Sequence, residues 1–290
     1  MLLREIKSIY HQELREHYPA EEIDSVFYEV LEVFTGLPRF VLGLEPGKIL
    51  AKEAETPLFE ALSRLKQHVP VQYVTGRGYF LGMTLKVTPA VLIPRPETEE
   101  LVAWITHSHD FSNSRLLDLG TGSGCIAIAL ARHWPGAQVC ALELSAAALE
   151  VALENARNQE VKMEGCLADM CQPLEGAAPF DLMVSNPPYI PEGERRSLDA
   201  HVRDQEPGAA LFAPEDAPLA YYHCLLARAK ESLRPGGWLY LEIHRDYAAP
   251  IADLLRAGGL QEIQMKKDIF GNDRFLRGRK PVSGETHQPL

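Results

Sequence analysis

The chain contains no C-x-x-C pair, and its cysteines (Cys125, Cys140, Cys166, Cys171 and Cys224) are few, odd in number and scattered. Such a set favours neither a disulfide framework nor a zinc site, and it predicts unpaired thiols in a reducing compartment. Nowhere do about 18 apolar residues follow one another, so no membrane-spanning helix is expected. Met1 to Glu13 carries Arg4, Glu5, Lys7 and Glu13 among its apolar residues and lacks the apolar stretch of a signal peptide. A cytoplasmic protein without a membrane partner is the expectation. Positive charge is also short, with 29 Lys and Arg against 40 Asp and Glu, a net −11. Grip on nucleic acid rests on Lys and Arg, so no direct nucleic-acid partner is expected either.

What is present is ordinary globular composition, long enough for two domains or one large one. Residues 1 to about 70 read as a small helical domain. Leu3, Ile6, Ile9, Tyr10 and Leu14 recur at helical spacing. Pro19-Ala-Glu-Glu suits a second helix start, closed by Gly36. Thr56-Pro57 reads as the opening of another helix. Residues 71–92 read as a short hairpin or linker, with strand character in Val71 to Thr75 and in Tyr79 to Val87. From residue 93 a rigid Ile93-Pro-Arg-Pro-Glu-Thr-Glu99 enters a helix. Strands and helices then alternate to about residue 280, which predicts a mostly parallel sheet covered on both faces. Two successive strands at its end, Glu262 to Lys266 and Arg274 to Arg279, predict an antiparallel terminal hairpin. Residues 281–290 read as a flexible tail.

Four constellations carry chemistry. In Leu116-Leu-Asp-Leu-Gly120-Thr121-Gly122-Ser123-Gly124 an apolar strand runs into a glycine loop that opens a helix. Glycines allow close approach of a ligand, and the helix start offers N–H groups. The spacing is neither that of a dinucleotide fold nor that of a P-loop. Glu143 ends the next strand, where a carboxylate can accept from two ribose hydroxyls. Asp169 and Met170 follow a short strand, placed for an adenine amino group and the face of its ring. The most specific is Asn186-Pro187-Pro188-Tyr189 after the apolar strand Phe180 to Ser185. Prolines stiffen the backbone and leave carbonyls without local N–H partners. With the Asn186 side chain they can form acceptors for one N–H₂ group, and Tyr189 can offer a flat wall to a planar target.

These residues resemble class I S-adenosylmethionine-dependent methyltransferases that modify planar nitrogens. Gln72-Tyr73-Val-Thr-Gly76, Leu92-Ile-Pro-Arg-Pro-Glu-Thr-Glu99 and Lys267-Asp268-Ile-Phe-Gly271-Asn-Asp-Arg274 are similar to segments of the PrmC/HemK family, the release factor glutamine N5-methyltransferases. The resemblance implies an α/β, Rossmann-like catalytic domain over 93–280, with a seven-stranded, mostly parallel sheet, and a helical domain over 1–70 that aids substrate docking. It implies S-adenosylmethionine as cofactor, no metal, and a monomer acting on the Gly-Gly-Gln loop of peptide chain release factors in translation termination. It places the cofactor on Gly120, Thr121, Gly122, Ser123, Gly124, Glu143, Asp169, Met170 and Asn186. It places the glutamine on Asn186, Pro187, Pro188 and Tyr189, with Asn186, Pro187 and Tyr189 carrying catalysis. The competing enzyme, a nucleic-acid adenine N6-methyltransferase, would use the same four residues on a flipped base.

Overall fold

The computed structural model describes residues 1–174 and 179–282, so all but the first two residues of the expected tail lie outside the described residues. The chain forms two compact units.

The first unit is Met1–Arg77 with Asp199–Gln205. It begins with α1 (Leu3–Leu14), α2 (Ala20–Thr35), α3 (Val41–Leu44), α4 (Lys52–Leu65) and α5 (Val71–Thr75). Glu21 and Glu22 stand in the first turn of α2 and Gly36 closes it at φ 70°, as acids at a positive helix end and a left-handed glycine should. Leu3, Ile6, Tyr10 and Leu14 share one buried cluster with Ile23, Phe27, Leu31, Leu58 and Leu62. Two local expectations change. Helix α4 starts at Lys52, with Glu53 and Glu55 in its first turn and Pro57 inside it. Val71–Thr75 is helical: a run of five residues, three of them β-branched, fits strand or helix, and its ends decide. Pro70 precedes the first turn, Gly76 caps it at φ 71°, and the Thr75 hydroxyl donates back to the Val71 carbonyl at 2.8 Å.

The second unit is Gly78–Leu198 and the chain from Glu206 onward. A hairpin of β1 (Arg77–Phe80) and β2 (Met83–Lys86) leads to α6 (Pro96–Ser108), which has Pro96 at its start and Glu97 and Glu99 in its first turn. Then come β3 (Arg115–Leu119), α7 (Cys125–His133), β4 (Gln138–Glu143), α8 (Ala146–Asn158), β5 (Glu164–Leu167) and β6 (Phe180–Ser185). A two-residue ladder joins β7 (Ile190–Pro191) to β8 (Phe212–Ala213); α9 (Ala200–Arg203), which follows β7 in the chain, belongs to the first unit, and α10 (Gly208–Leu211) leads into β8. The unit ends with α11 (Ala220–Ser232), β9 (Leu233–Glu242), α12 (Ala248–Ala257), β10 (Gln261–Lys267) and β11 (Asp273–Arg279).

Seven strands form one sheet in the order β10-β11-β9-β6-β3-β4-β5. The five from β9 to β5 are parallel, and β11 pairs antiparallel with both β9 and β10. Alternate residues feed opposite faces, as the period of a strand requires. Leu116, Leu182 and Trp238 pack with α6 and α7, whereas Leu117, Met183 and Leu239 pack with α11 and α12. Hence the near-continuous apolar runs in β3 and β6, each buried on both faces.

The unpaired-thiol expectation fails at one pair. Cys171, in the loop after β5, is bonded to Cys224 of α11, and their Cα atoms are 4.7 Å apart across 53 residues of sequence. Spacing could not reveal a pair that only the winding of the chain brings together. Cys125, Cys140 and Cys166 are free. Among the described residues no helix is long and apolar enough to cross a membrane.

Candidate active site

The strand order sets the site. The four constellations sit at the carboxyl ends of β5, β4, β3 and β6, which are neighbours in that sequence. Ligands of open α/β sheets bind outside those ends. A cavity of about 350 Å³ lies there, lined by Gly120, Thr121, Gly122, Ser123, Glu143, Asp169, Met170, Asn186 and Pro188. Gly124, Pro187 and Tyr189 do not line it.

At the end of β3 the loop turns through left-handed backbone at Gly120, Gly122 and Gly124. The reasons for glycine differ. A Cβ on Gly122, at φ +56°, would meet nothing within 4 Å, so the space beside it is open. A Cβ on Gly124 would stand 3.0 Å from Ile128 and 3.1 Å from Ala152, where α7 and α8 pack closely. The loop is tied to β4: the Gly120 and Thr121 N–H groups donate to the Leu142 carbonyl at 2.9 and 3.0 Å.

Among the described residues Glu143 is held by backbone N–H groups. Its Oε2 accepts from Gly122 N–H at 2.9 Å, and its Oε1 accepts from Leu144 and Ser145 N–H at 2.9 and 3.0 Å. A carboxylate has about four acceptor positions, so one remains for a direct hydroxyl and a second hydroxyl must share. Asp169 Oδ1 accepts from Cys171 N–H at 2.8 Å, and Met170 Cε lies 3.2 Å from where a Cβ of Gly120 would stand.

The acceptor constellation is positioned by side chains. The Ser185 hydroxyl, fully buried, donates to the Leu119 carbonyl at 2.7 Å and locks the ends of β6 and β3 together. Asn186 Nδ2 donates to Thr98 Oγ1 at 3.2 Å. The Thr98 hydroxyl donates to Glu242 Oε2 at 2.8 Å, and the Tyr189 hydroxyl donates to Glu242 Oε1 at 3.0 Å. The Tyr189 ring packs against the α11–α12 cluster, with the Arg274 guanidinium 5.8 Å from its centre. Burial and the Glu242 charge push the Tyr189 phenol well above its usual range.

Three residues of this site carry no local signal that would assign them a role, namely Thr98, Arg274 and Tyr221, which lines the cavity from α11. Asp118 and Glu242 do carry one: each is an acid inside an apolar strand, where burial is costly without partners. Both are 1% exposed, and burial pushes each carboxyl up to about 7. Asp118 Oδ2 accepts from the Thr121 hydroxyl at 2.7 Å and from Ala127 N–H at 3.3 Å, while its Oδ1 has no hydrogen-bond partner among the described residues.

The chain has relatives among known proteins. Residues 98–202 match the family model "Methyltransferase small domain", and residues 9–76 match "PrmC N-terminal domain". A release factor glutamine methyltransferase of Flavobacterium psychrophilum is 36% identical over 96% of this chain and 99% of its own length. One of Chlorobaculum tepidum is 42% identical over 83% of this chain and 85% of its own. Among solved structures, a methyltransferase from Pyrococcus furiosus is 17% identical with a TM-score of 0.51, covering 80% of this chain and all of that one. The T. thermophilus 16S rRNA N2 G1207 methyltransferase, solved with AdoMet and guanosine, is 22% identical with a TM-score of 0.52, covering 70% of this chain and 49% of that one. These two likenesses concern the fold.

Proposed function

The chain belongs to the release factor glutamine methyltransferase family, and from that premise we propose how its cavity transfers a methyl group from S-adenosylmethionine to the side-chain amide nitrogen of a release factor glutamine. The observation that carries the proposal is the order of the constellations along the sheet. Adenine falls to Asp169 and Met170 after β5, ribose to Glu143 after β4, the methionine part to the Gly120–Gly124 loop after β3, and the acceptor to Asn186 after β6. The reactive methyl then lies where the third and fourth subsites meet.

The residues fit this cofactor. Open space beside Gly122 admits a ligand against the backbone, and the fixed Glu143 carboxylate presents an acceptor to a hydroxyl. The buried Asp118 Oδ1, without a partner among the described residues, is an acceptor at the base of the same loop. When bound, S-adenosylmethionine would supply a methyl on a positively charged sulfur, with neutral S-adenosylhomocysteine as the leaving group. The protein's own task is the nucleophile. An amide nitrogen is a weak one because its lone pair is shared with the carbonyl. The Asn186 side-chain oxygen and the Pro187 carbonyl hold the two amide protons, fix the nitrogen's orientation and favour the positive charge it gains in the transition state. Holding nitrogen and methyl in line supplies the entropic share of the rate, up to ~7–11 kcal/mol in the best cases. The nitrogen then loses a proton readily. Tyr189 receives a buttressing part, because its ring is packed into the core and its hydroxyl is engaged by Glu242.

The Gly-Gly-Gln loop is the acceptor this reading requires: two glycines let a protein loop enter a narrow mouth without side-chain clash. The test is incubation with labelled S-adenosylmethionine and either a purified release factor or duplex DNA. Label on the release factor alone is expected; label on DNA alone would replace this reading with the adenine one.

A further inference from the structure

Asn186 is a side chain whose two ends look alike in shape but act oppositely. With its oxygen toward the cavity it accepts from a substrate N–H₂; turned over, it offers an N–H₂ of its own. Something must fix the orientation, since an amide's direction is set by its hydrogen-bond network. We propose that Glu242 is the positioning residue that does so: through the Thr98 hydroxyl it commits the Asn186 carboxamide to face the substrate with oxygen, and through the Tyr189 hydroxyl it braces the same turn. This rests on the assignment of Asn186 to the acceptor pocket and adds the residue that polarises it.

The direction of the protons follows from the donor inventory. Above about pH 7 the Glu242 carboxyl is ionised, and an ionised carboxylate only accepts. The single Thr98 proton therefore goes to Glu242 Oε2, 2.8 Å away, and the Tyr189 proton goes to Oε1, 3.0 Å away. Thr98 Oγ1 is left with lone pairs only, and these take the Asn186 Nδ2 proton at 3.2 Å. An inverted Asn186 would set oxygen against oxygen, with the one available proton already committed. The relay crosses the unit from the end of β9 through the first turn of α6 to the end of β6, and the two residues beside Glu242 in the sequence, Leu241 and Ile243, are fully buried. A carboxylate in such a strand is costly unless it is hydrogen-bonded. Its bonds go to two side chains of the acceptor end, and one of them, Thr98, lines the cavity beside Asn186. Arg274 adds a positive charge on the same side, donating to the Ile243 carbonyl at 3.2 Å and standing over Tyr189.

The test uses the full chain, labelled S-adenosylmethionine and a purified release factor under single-turnover conditions above about pH 7, where Glu242 is ionised, with cofactor affinity measured alongside. Thr98→Val keeps the shape but removes the hydroxyl, and should slow methyl transfer at least ~10-fold, the scale of a misoriented contact. Thr98→Ser restores the hydroxyl and should return the rate to within about threefold, with cofactor affinity unchanged to a similar margin in both variants. Glu242→Gln can accept from only one of the two hydroxyls and should slow transfer by about 10-fold. Because the Thr98 arm of the relay acts only through Asn186, the double variant Asn186→Ala/Thr98→Val should be no slower than Asn186→Ala alone. Additive losses in that double variant, or a Thr98→Val rate within about threefold of the parent, would overturn the relay. Should Glu242→Gln fail to fold, the threonine pair and the double variant still decide. Near-normal turnover by Asn186→Ala alone would instead remove the pocket assignment beneath the inference, which keeps the two failures apart.

Discussion

Gly122 and Asn186 line the same cavity and are held there by different means. Around Gly122 the backbone does the holding: the loop after β3 donates to the Leu142 carbonyl, and three N–H groups fix the Glu143 carboxylate. The longest of the Glu143 bonds in sequence spans 21 residues, within one strand–helix–strand unit. Around Asn186 the holding is done by side chains from three elements, with separations of 88, 144 and 53 residues. A ligand-binding edge made of backbone demands glycine, and glycine shows in a sequence. An edge made of paired side chains demands only that the partners meet, and no local pattern records that.

The contrast can be broken at either end. Gly122→Val places a β-branched side chain at φ +56° and into the open space beside the loop. It should abolish cofactor binding, and with it all transfer, in calorimetry; unchanged affinity would break the assignment of that loop. Asn186→Ala should leave cofactor affinity within a few-fold while cutting transfer by at least ~10², the scale of one lost preorganised polar contact. A matching loss of affinity would show the two ends are not separate.

Smaller effects sharpen the comparison. The Cys171–Cys224 bond ties the loop carrying Asp169 and Met170 to α11, one turn from Tyr221. Cys171→Ser should lower unfolding free energy by about 2–4 kcal/mol in denaturant under non-reducing conditions. Five titratable thiols in the native protein would contradict the pairing. The smallest effect is a pH slope. Asp118 and Glu242 hold their protons up to about 7 in the folded chain, against ordinary values of 3.8 and 4.5. The folded state therefore binds more protons than the unfolded one between about pH 4 and 7, and these two groups make stability fall as pH rises through that window and level off above it. Asp24 and Asp268, whose carboxyls are lowered, act in the opposite sense and only at more acid pH. The Tm of Asp118→Asn should decline less steeply than that of the parent from about pH 5 to 7; an equal slope would show that Asp118 is not the titrating group.

How much was legible follows the same division. The alternation from Leu116 onward gave the parallel sheet, because strands buried on both faces are written as unbroken apolar runs. The glycine loop, Glu143, Asp169 and Asn186 could be placed because each ends a strand or follows one within two residues. Val71–Thr75 read wrongly as a strand, since five residues carry too little periodicity and only Pro70 and Gly76 decide. Thr56-Pro57 read as a helix start, although Pro57 lies inside α4. Cys171 and Cys224 gave no hint of pairing because 53 residues separate them. Thr98 and Glu242 are the instructive omissions. Glu242 was visible as an acid in an apolar strand, but what it serves appears only when α6, β6 and β9 are side by side.

Site-resolved mass spectrometry tests the central claim most directly. Release factor whose Gly-Gly-Gln loop carries Gln, Glu or Asn is incubated with the protein and S-adenosylmethionine, then digested and mapped. One methyl on the loop glutamine is predicted, none on Glu, which offers no N–H₂ to the acceptors, and far slower reaction on Asn, one methylene too short to reach the in-line position. Equal methylation of all three, or a methyl on some other residue, would contradict the account.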